Sequence, residues 1–459
     1  MTHNTFLLPG KRIHMVGITE TTMSSLAMLL QNRGFTVTGS DMFVSSTTSR
    51  LKEKGIEFRY GHRAENINGA DCVIRTAAAR DDNPEIIAAK AAEIPILDCS
   101  QVLSAVAREF KNVIYIEGSV LGKYCTAALI AHIFMEAQKD PTVMIKEHMK
   151  LLGGNYRNGR GDVFIIQSSA WQHAPLPGSR VVVLNALDAD FFPPSQMVEN
   201  VKASFHRITG LPPKSGFLIT DGEAMQLSDA LQDFNPAVCS IYTSFGLSSE
   251  NDVHLTNVDS KWHSFDIVCS EEMFCHVGLK VYGKKNVLSA LAAVAVAWRM
   301  GIPAEAVVRG LESYPGPSGY FEHKGVCHGA DVFDDSSYHP AQIKVLLETV
   351  RDMGYNRIIV AIQPQFLIRS KDYIPELTDA LAGADYVVVM ETYGICELGM
   401  KDSLSKDLTA NIPVSIYLKY VTEVSEHLAS IAGPGDVILT IGPGDIYKVS
   451  NALCDYYKA

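Results

Sequence analysis

Gly118, Gly122 and Lys123 fall in the stretch GSVLGKYCTAAL, residues 118–129, between the apolar run VIYIE and an alanine-rich segment. Glycines and a lysine at a strand-to-helix turn suit a phosphate cradle. Glycine lets backbone N–H groups close on the anion, the helix N-terminus adds partial positive charge, and lysine reaches the outer phosphates. Directly after the lysine stand Tyr124 and Cys125, where nucleotide chemistry expects threonine or serine as a magnesium ligand. A phenol is too long and rigid for that role, and a neutral thiol is a soft ligand for a hard cation. Two readings follow: a cradle that keeps its lysine, or a plain connection between strand and helix with Lys123 as a solvated surface lysine.

The elements that would position this loop alternate between strand and helix. RIHMVGI, then TETTMSSLAMLLQNRG with helical apolar spacing and a closing glycine, then FTVTGSD make a β-α-β unit. The alternation continues through ADCVIRTAA and IPILDCSQVLSAVAREF, so the first hundred or so residues predict a small parallel-sheet domain. KNVIYIEGSVLGKYCTAALIAHIF opens a second series, followed by strands in GDVFIIQSS and SRVVVLNAL, a less regular stretch to about residue 280 and the helix KKNVLSALAAVAVAWRMG. ESYPGPSGYFEHKG is the best linker, and RIIVAIQPQ, ADYVVVMET and GDVILTIGPGDIYKVSNAL beyond it alternate again. The expected architecture is α/β in three domains: a Rossmann-like N-terminal domain over 1–105, a P-loop-type domain over 106–318 and a Rossmann-like C-terminal domain over 319–459.

Composition narrows the classes. The 459 residues are 47% hydrophobic and 20% charged, as in a globular protein. A net charge of -11 gives no basic footprint for nucleic acid. No apolar run approaches the roughly 20 residues of a membrane span, and the N-terminus lacks a charged leader with a cleavable apolar core, so the expectation is a cytoplasmic protein. Nine scattered cysteines without a C-x-x-C pair read as free thiols. An NAD-dependent oxidoreductase, suggested by the opening β-α-β unit and Asp41, is set aside because G-x-G-x-x-G is missing.

Ten collinear stretches resemble the Mur ligases of peptidoglycan precursor synthesis, in the branch that joins UDP-N-acetylmuramate to L-alanine and its murein-tripeptide relative. They are IHMVGI…MSSLA, VTGSD, GHRAENINGADCVIRTAA, GKYCTAALIAHI, NALDAD, YGKKNVLSALAAVAVA, FDDSSYHPAQIKVLLETVR, QPQFLIRS, ETYGICE and LTIGPGDI. The resemblance implies a UDP-sugar domain, an ATPase domain and a domain that closes over an amino acid. It also implies ATP and Mg2+ as cofactors, and a UDP-muramyl precursor or another Mur ligase as partner. Carried over by motif, it assigns Gly118, Gly122, Lys123 and Asn286 to the nucleotide, and Lys123 and His339 to catalysis. Asp41 and Arg369 go to substrate, and Asp188 and Asp190 to metal.

Several family positions are altered. Beside Tyr124 and Cys125, an acidic family segment is replaced by Gln167 to Gln172, a metal-holding histidine by Phe191, and two hinge arginines by Gly319 and Tyr320. Under the UDP pyrophosphate, glycines give way to Thr19, Glu20 and Thr22. Losses at magnesium, phosphate and UDP positions together lead to the expectation of a degenerate, non-catalytic homologue with a binding or regulatory role. The alternative is an active ATP-dependent amide ligase on a UDP-muramyl or related carboxylate, with Asp188, Asp190 and Asp334 rearranged around a metal.

Overall fold

The computed structural model describes residues 9–44, 46–118, 120–168, 179–185, 216–222, 241–259, 262–281, 283–316, 319–365, 370–393 and 400–456. Asp188, Asp190 and Arg369 lie outside the described residues.

Five short strands make the first sheet: β1 (Arg12–Val16), β2 (Thr36–Asp41), β3 (Glu57–Tyr60), β4 (Cys72–Arg75) and β5 (Ile96–Asp98). All run parallel in the order β3-β2-β1-β4-β5, the Rossmann-like winding expected from sequence. Helices α1 (Thr21–Asn32), α2 (Ser46–Glu53), α3 (Pro84–Ala91) and α4 (Cys99–Ala107) connect them or follow them. Asp98 and Gln101 form a capping box that fixes the start of α4.

The second sheet has ten strands. β6 (Asn112–Gly118) runs through the loop into α5 (Val120–Glu136). β7 (Thr142–Met149), β8 (Gly154–Arg157), β9 (Val163–Gln167), β10 (Ser179–Asn185), β11 (Phe217–Asp221), β12 (Ile241–Phe245), β13 (Val253–Thr256), β14 (Ser264–Cys269) and β15 (Glu272–Gly278) follow. The order is β15-β14-β13-β12-β11-β10-β6-β9-β7-β8. Strand β6 therefore lies between two parallel neighbours, β10 and β9. Ile114, Tyr115 and Ile116 are fully buried, as expected for a parallel strand covered on both faces. The region read as irregular up to residue 280 holds β11 to β15 among its described residues. β14 alternates half-exposed and buried positions, a weaker pattern than the continuous apolar runs of β6, β9 and β10. Helices α6 (Lys284–Arg299) and α7 (Ala304–Ser313) close the series.

Side chains from both sheets, among them Ile13, Met15 and Val37 of the first and Val113, Phe164 and Val182 of the second, share one apolar cluster. These two sheets belong to a single compact unit, and the third sheet to another. The third has β16 (Glu322–Cys327) antiparallel to β17 (Ala330–Asp335). It continues with β18 (Arg357–Ile362), β19 (Tyr386–Val389), β20 (Ser415–Tyr417) and β21 (Asp436–Ile441), in the order β16-β17-β21-β18-β19-β20. Its helices are α8 (Pro340–Asp352), α9 (Ser370–Leu381), α10 (Met400–Asn411), α11 (Val421–Ile431) and α12 (Tyr447–Tyr456). Among the described residues no helix is long and apolar enough to cross a membrane.

Candidate nucleotide and substrate site

The loop leaves the sheet at the end of β6. Gly118 has φ +135°, and a Cβ there would sit 1.8 Å from the Asn185 carbonyl oxygen and 2.7 Å from its carbon. Only a residue without a side chain fits this crossing. Backbone atoms of β10 cannot yield cheaply, so Gly118→Ala is expected to destabilise the fold by about 3 kcal/mol, read as a lower urea midpoint with an unchanged slope. An unchanged midpoint would contradict this geometry. The Asn185 amide also steadies the start of α5, donating to Thr126 Oγ1 at 2.8 Å and Gly122 O at 3.4 Å.

Lys123 keeps its side chain at the mouth of the loop, where Nζ donates to Ser168 Oγ at 3.2 Å. Ser168 donates onward to Glu117 Oε1 at 3.0 Å. The next two residues point elsewhere: Tyr124 is 1% exposed and Cys125 3% exposed, because α5 is largely apolar and sunk in the core. Buried Tyr314 and His132 lie on the same side, their rings 5.3 Å apart and edge-on. Burial holds the Tyr314 hydroxyl well above its ordinary pKa, with Cys125 and Tyr124 among its neighbours. The same burial lowers His132 to about 4. Threonine at 124 would therefore leave a void in the core and add no ligand at the loop. Tyr124→Thr is expected to cost about 3 kcal/mol in a denaturant titration, and a variant as stable as the wild type would refute this placement.

The described residues therefore fit a phosphate group better than a magnesium ion. Gly118, Lys123 and the start of α5 offer close backbone approach and positive charge, whereas the hydroxyl ligand is gone. Among the described residues no three His, Cys, Asp or Glu side chains converge as a metal site. No step is derived through a metal.

In the same unit lies a pocket of about 350 Å³ lined by Thr21, Ser24, Thr47, Arg50, Lys146, Gly153 and Asn155. Thr21 and Ser24 belong to the first turn of α1, Arg50 to α2 and Lys146 to β7. Two cations and several hydroxyls at a helix N-terminus suit an anionic, hydroxyl-rich ligand. Asn155 is 3% exposed and ties β8 to α1, donating to Ser25 Oγ at 2.8 Å. Lys146 also lines a second, small cavity with Gln167 and Ser168, and Ser168 is the residue that accepts from Lys123 Nζ.

Glu20 and Asp41 are engaged in the adjoining turn. The Glu20 carboxylate caps α1, accepting from Met23 N at 3.0 Å. Asp41 accepts from Thr19 N at 3.0 Å, Thr19 Oγ1 at 2.5 Å and Met42 N at 2.7 Å. Asn286 is in the first turn of α6.

In the other unit, Asp334 and Asp335 end β17. Burial pushes the Asp335 carboxyl up to about 6, even though Ser337 N and Phe321 N donate to it at 2.7 and 2.8 Å. Asp334 is raised by burial too, opposed by the Thr440 hydroxyl at 2.5 Å. The His339 backbone carbonyl accepts from Gln342 N and Ile343 N at the head of α8.

Sequence reading missed Glu117, Arg50, Lys146 and Asn155, and took Ser168 only as part of an altered acidic segment. Arg50 and Lys146 are lone cations 96 residues apart in sequence, and only the packing of α2 near β7 brings them to one pocket.

A strand, a glycine–lysine turn and a buried helix within a parallel sheet define an α/β protein with a strand–turn–helix of the P-loop kind. Comparison places the class more narrowly. Residues 12–111 match the Mur ligase family, catalytic domain, and residues 321–444 match the Mur ligase, glutamate ligase domain. The chain is 33% identical over 452 residues to a UDP-N-acetylmuramate–L-alanine ligase of Acetivibrio thermocellus, covering 96% of this chain and 94% of the relative. It is 32% identical to the ligase of the same name from Clostridium acetobutylicum, with 96% of each covered. A crystal structure of UDP-N-acetylmuramate-alanine ligase from Thermotoga maritima superposes with a TM-score of 0.74 at 25% identity, covering 97% of this chain and 99% of that one. The chain belongs to the Mur ligase family.

These matches correct the expectation of a non-catalytic homologue. The full-length relatives are named as enzymes, and nothing in the described residues marks this chain as inactive. The expectation counted altered motif positions as lost functions. The fold instead joins Glu117 and Ser168 beside Lys123 and brings Arg50 and Lys146 to one pocket; of these only Ser168 belongs to the motif positions that were compared.

Proposed function

We propose that the chain is an ATP-dependent amide ligase acting on a UDP-muramyl or related carboxylate substrate. The observation that carries this is Lys123 at the mouth of the glycine turn, bonded to Ser168, with the Arg50–Lys146 pocket in the same compact unit. On this reading residues 1–105 seat the substrate, 106–318 the nucleotide and 319–459 the incoming amine. The names and full-length coverage of the relatives support the same reaction.

ATP supplies the phosphoryl group that activates the carboxylate. The chain's own residues bind and orient. Gly118 and Gly122 let the loop close on phosphate, Lys123 offsets negative charge as it builds on the transferring group, and Asn286 faces the base. Arg50 and Lys146 hold the substrate's anionic part, and the acids at the end of β17 attract an ammonium group.

The test is phosphate release by the full-length protein with ATP, magnesium, UDP-N-acetylmuramate and each amino acid in turn. Turnover that requires both the sugar nucleotide and an amino acid is the expected result. ATP hydrolysis indifferent to both, or none with any combination, would overturn the reading.

A further inference from the structure

Glu117 stands at the end of β6, one residue before the glycine of the loop, and its carboxylate collects the loop's polar contacts. Oε1 accepts from the Gly118 N–H at 3.3 Å and from Ser168 Oγ at 3.0 Å. Oε2 accepts from the Tyr115 hydroxyl at 3.3 Å; residues 115 and 117 share one face of an extended strand. Ser168 is 2% exposed and is itself the acceptor for Lys123 Nζ at 3.2 Å. In a phosphate cradle the first loop amides and the loop lysine converge on the bound anion. Here the first loop amide, and the lysine through one buried hydroxyl, converge on a carboxylate of the chain itself. This differs from Glu20, whose bond to Met23 N stays within its own helical turn.

We infer that Glu117 is an internal anion seated in the cradle, which the phosphates of a nucleotide must displace before they reach Lys123. The carboxylate thereby sets the threshold for nucleotide binding. This rests on the proposed reading of the loop as the ligase's ATP site. A phosphate entering beside Glu117 meets a like charge, and like-charge juxtaposition in a binding site weakens association. Displacement turns the Glu117 side chain away from Gly118 N and Ser168 Oγ and releases both donors to the incoming oxygens.

The experiment is isothermal titration calorimetry of the full-length protein with ATP, with and without magnesium, and with inorganic tripolyphosphate. Wild type is compared with Glu117→Gln and Ser168→Ala, each checked by a thermal melt. Glutamine keeps the shape and removes the charge, so Glu117→Gln is expected to bind ATP and tripolyphosphate about tenfold more tightly. Ser168→Ala, which cuts the bridge to Lys123, shifts affinity the same way by a smaller factor. Should glutamine impair folding, Glu117→Thr removes the same charge with a residue suited to a strand. Unchanged affinity in the charge-removed variant overturns the inference and leaves the ligase reading intact. Weaker, magnesium-dependent binding also overturns it, and makes Glu117 a metal-holding residue instead. Binding by Glu117→Gln alone upholds the inference and sinks the claim of a working wild-type ligase. If neither protein binds nucleotide, both fall.

Discussion

Replacing Lys123 with alanine is expected to lower kcat for substrate-dependent phosphate release by about a hundred- to a thousandfold, the range seen when one well-placed electrostatic donor is removed. Phosphoryl transfer asks little covalent chemistry of a protein and much charge compensation. Lys123 is the cation the loop itself supplies, held at its mouth by Ser168 at 3.2 Å. Arg50 and Lys146 line the pocket at the start of α1 instead, and on the proposed reading they serve the substrate and leave the reacting group to Lys123. The loss is therefore expected in kcat more than in KM, because an interaction that strengthens as charge builds acts on the transition state. Lys123 is only partly buried, so the melting temperature should barely move. Lys123→Arg is expected to recover only part of the rate, since a planar fork replaces a compact ammonium. Turnover unaffected by Lys123→Ala would remove this loop from the reaction and with it the ligase assignment.

Lys123 was legible because the loop announces itself locally: an apolar strand, two glycines, a lysine and a helix in one run of sequence. The α/β class was legible for the same reason, since β6, β9, β10 and β21 are continuous buried runs between helical periods. Other features depend on which elements become neighbours. Glu117 reads as the last residue of a strand, and its role appears only when β9 brings Ser168 beside it. Tyr124 and Cys125 read as damaged ligands, yet the largely buried α5 turns both inward as core. Judging activity from motif letters alone therefore failed, because it could not see which new polar groups the fold brings to the site. Glu20 stands where the resemblance places a glycine under a pyrophosphate; the structure uses it to cap its own helix.

The N-terminal sheet carries a second large effect, in stability. Glu85, in the first turn of α3, is fully buried. Its carboxylate accepts from Ser40 Oγ at 2.6 Å and from Asn66 Nδ2, and contacts His62 Nδ1 at 3.0 Å and His14 Nε2 at 3.6 Å. His14 is held in turn by Thr38 Oγ1 at 2.8 Å. Burial is the largest influence on this carboxyl and pushes its pKa up; the contacts from His14, Ser40 and Asn66 outweigh it and bring the value down from 4.5 to about 2. A carboxyl depressed on folding stabilises the native state above its unfolded pKa, and that contribution is lost as pH falls from about 4.5 towards 2. The shift corresponds to about 3 kcal/mol near neutrality. Glu85→Ala removes that contribution and strands the buried donors of Ser40, Asn66 and the two imidazoles. Breaking such a set by deleting one partner costs about 3–5 kcal/mol. Urea titrations at pH 7 should show that loss, and the gap between wild type and variant should narrow steadily as the pH is lowered from 4.5 to 2, because the wild type alone surrenders the Glu85 contribution there. A gap that stays constant across this range would mean the carboxylate's charge contributes nothing, and that Glu85 acts only as a filler of space between α3 and β2.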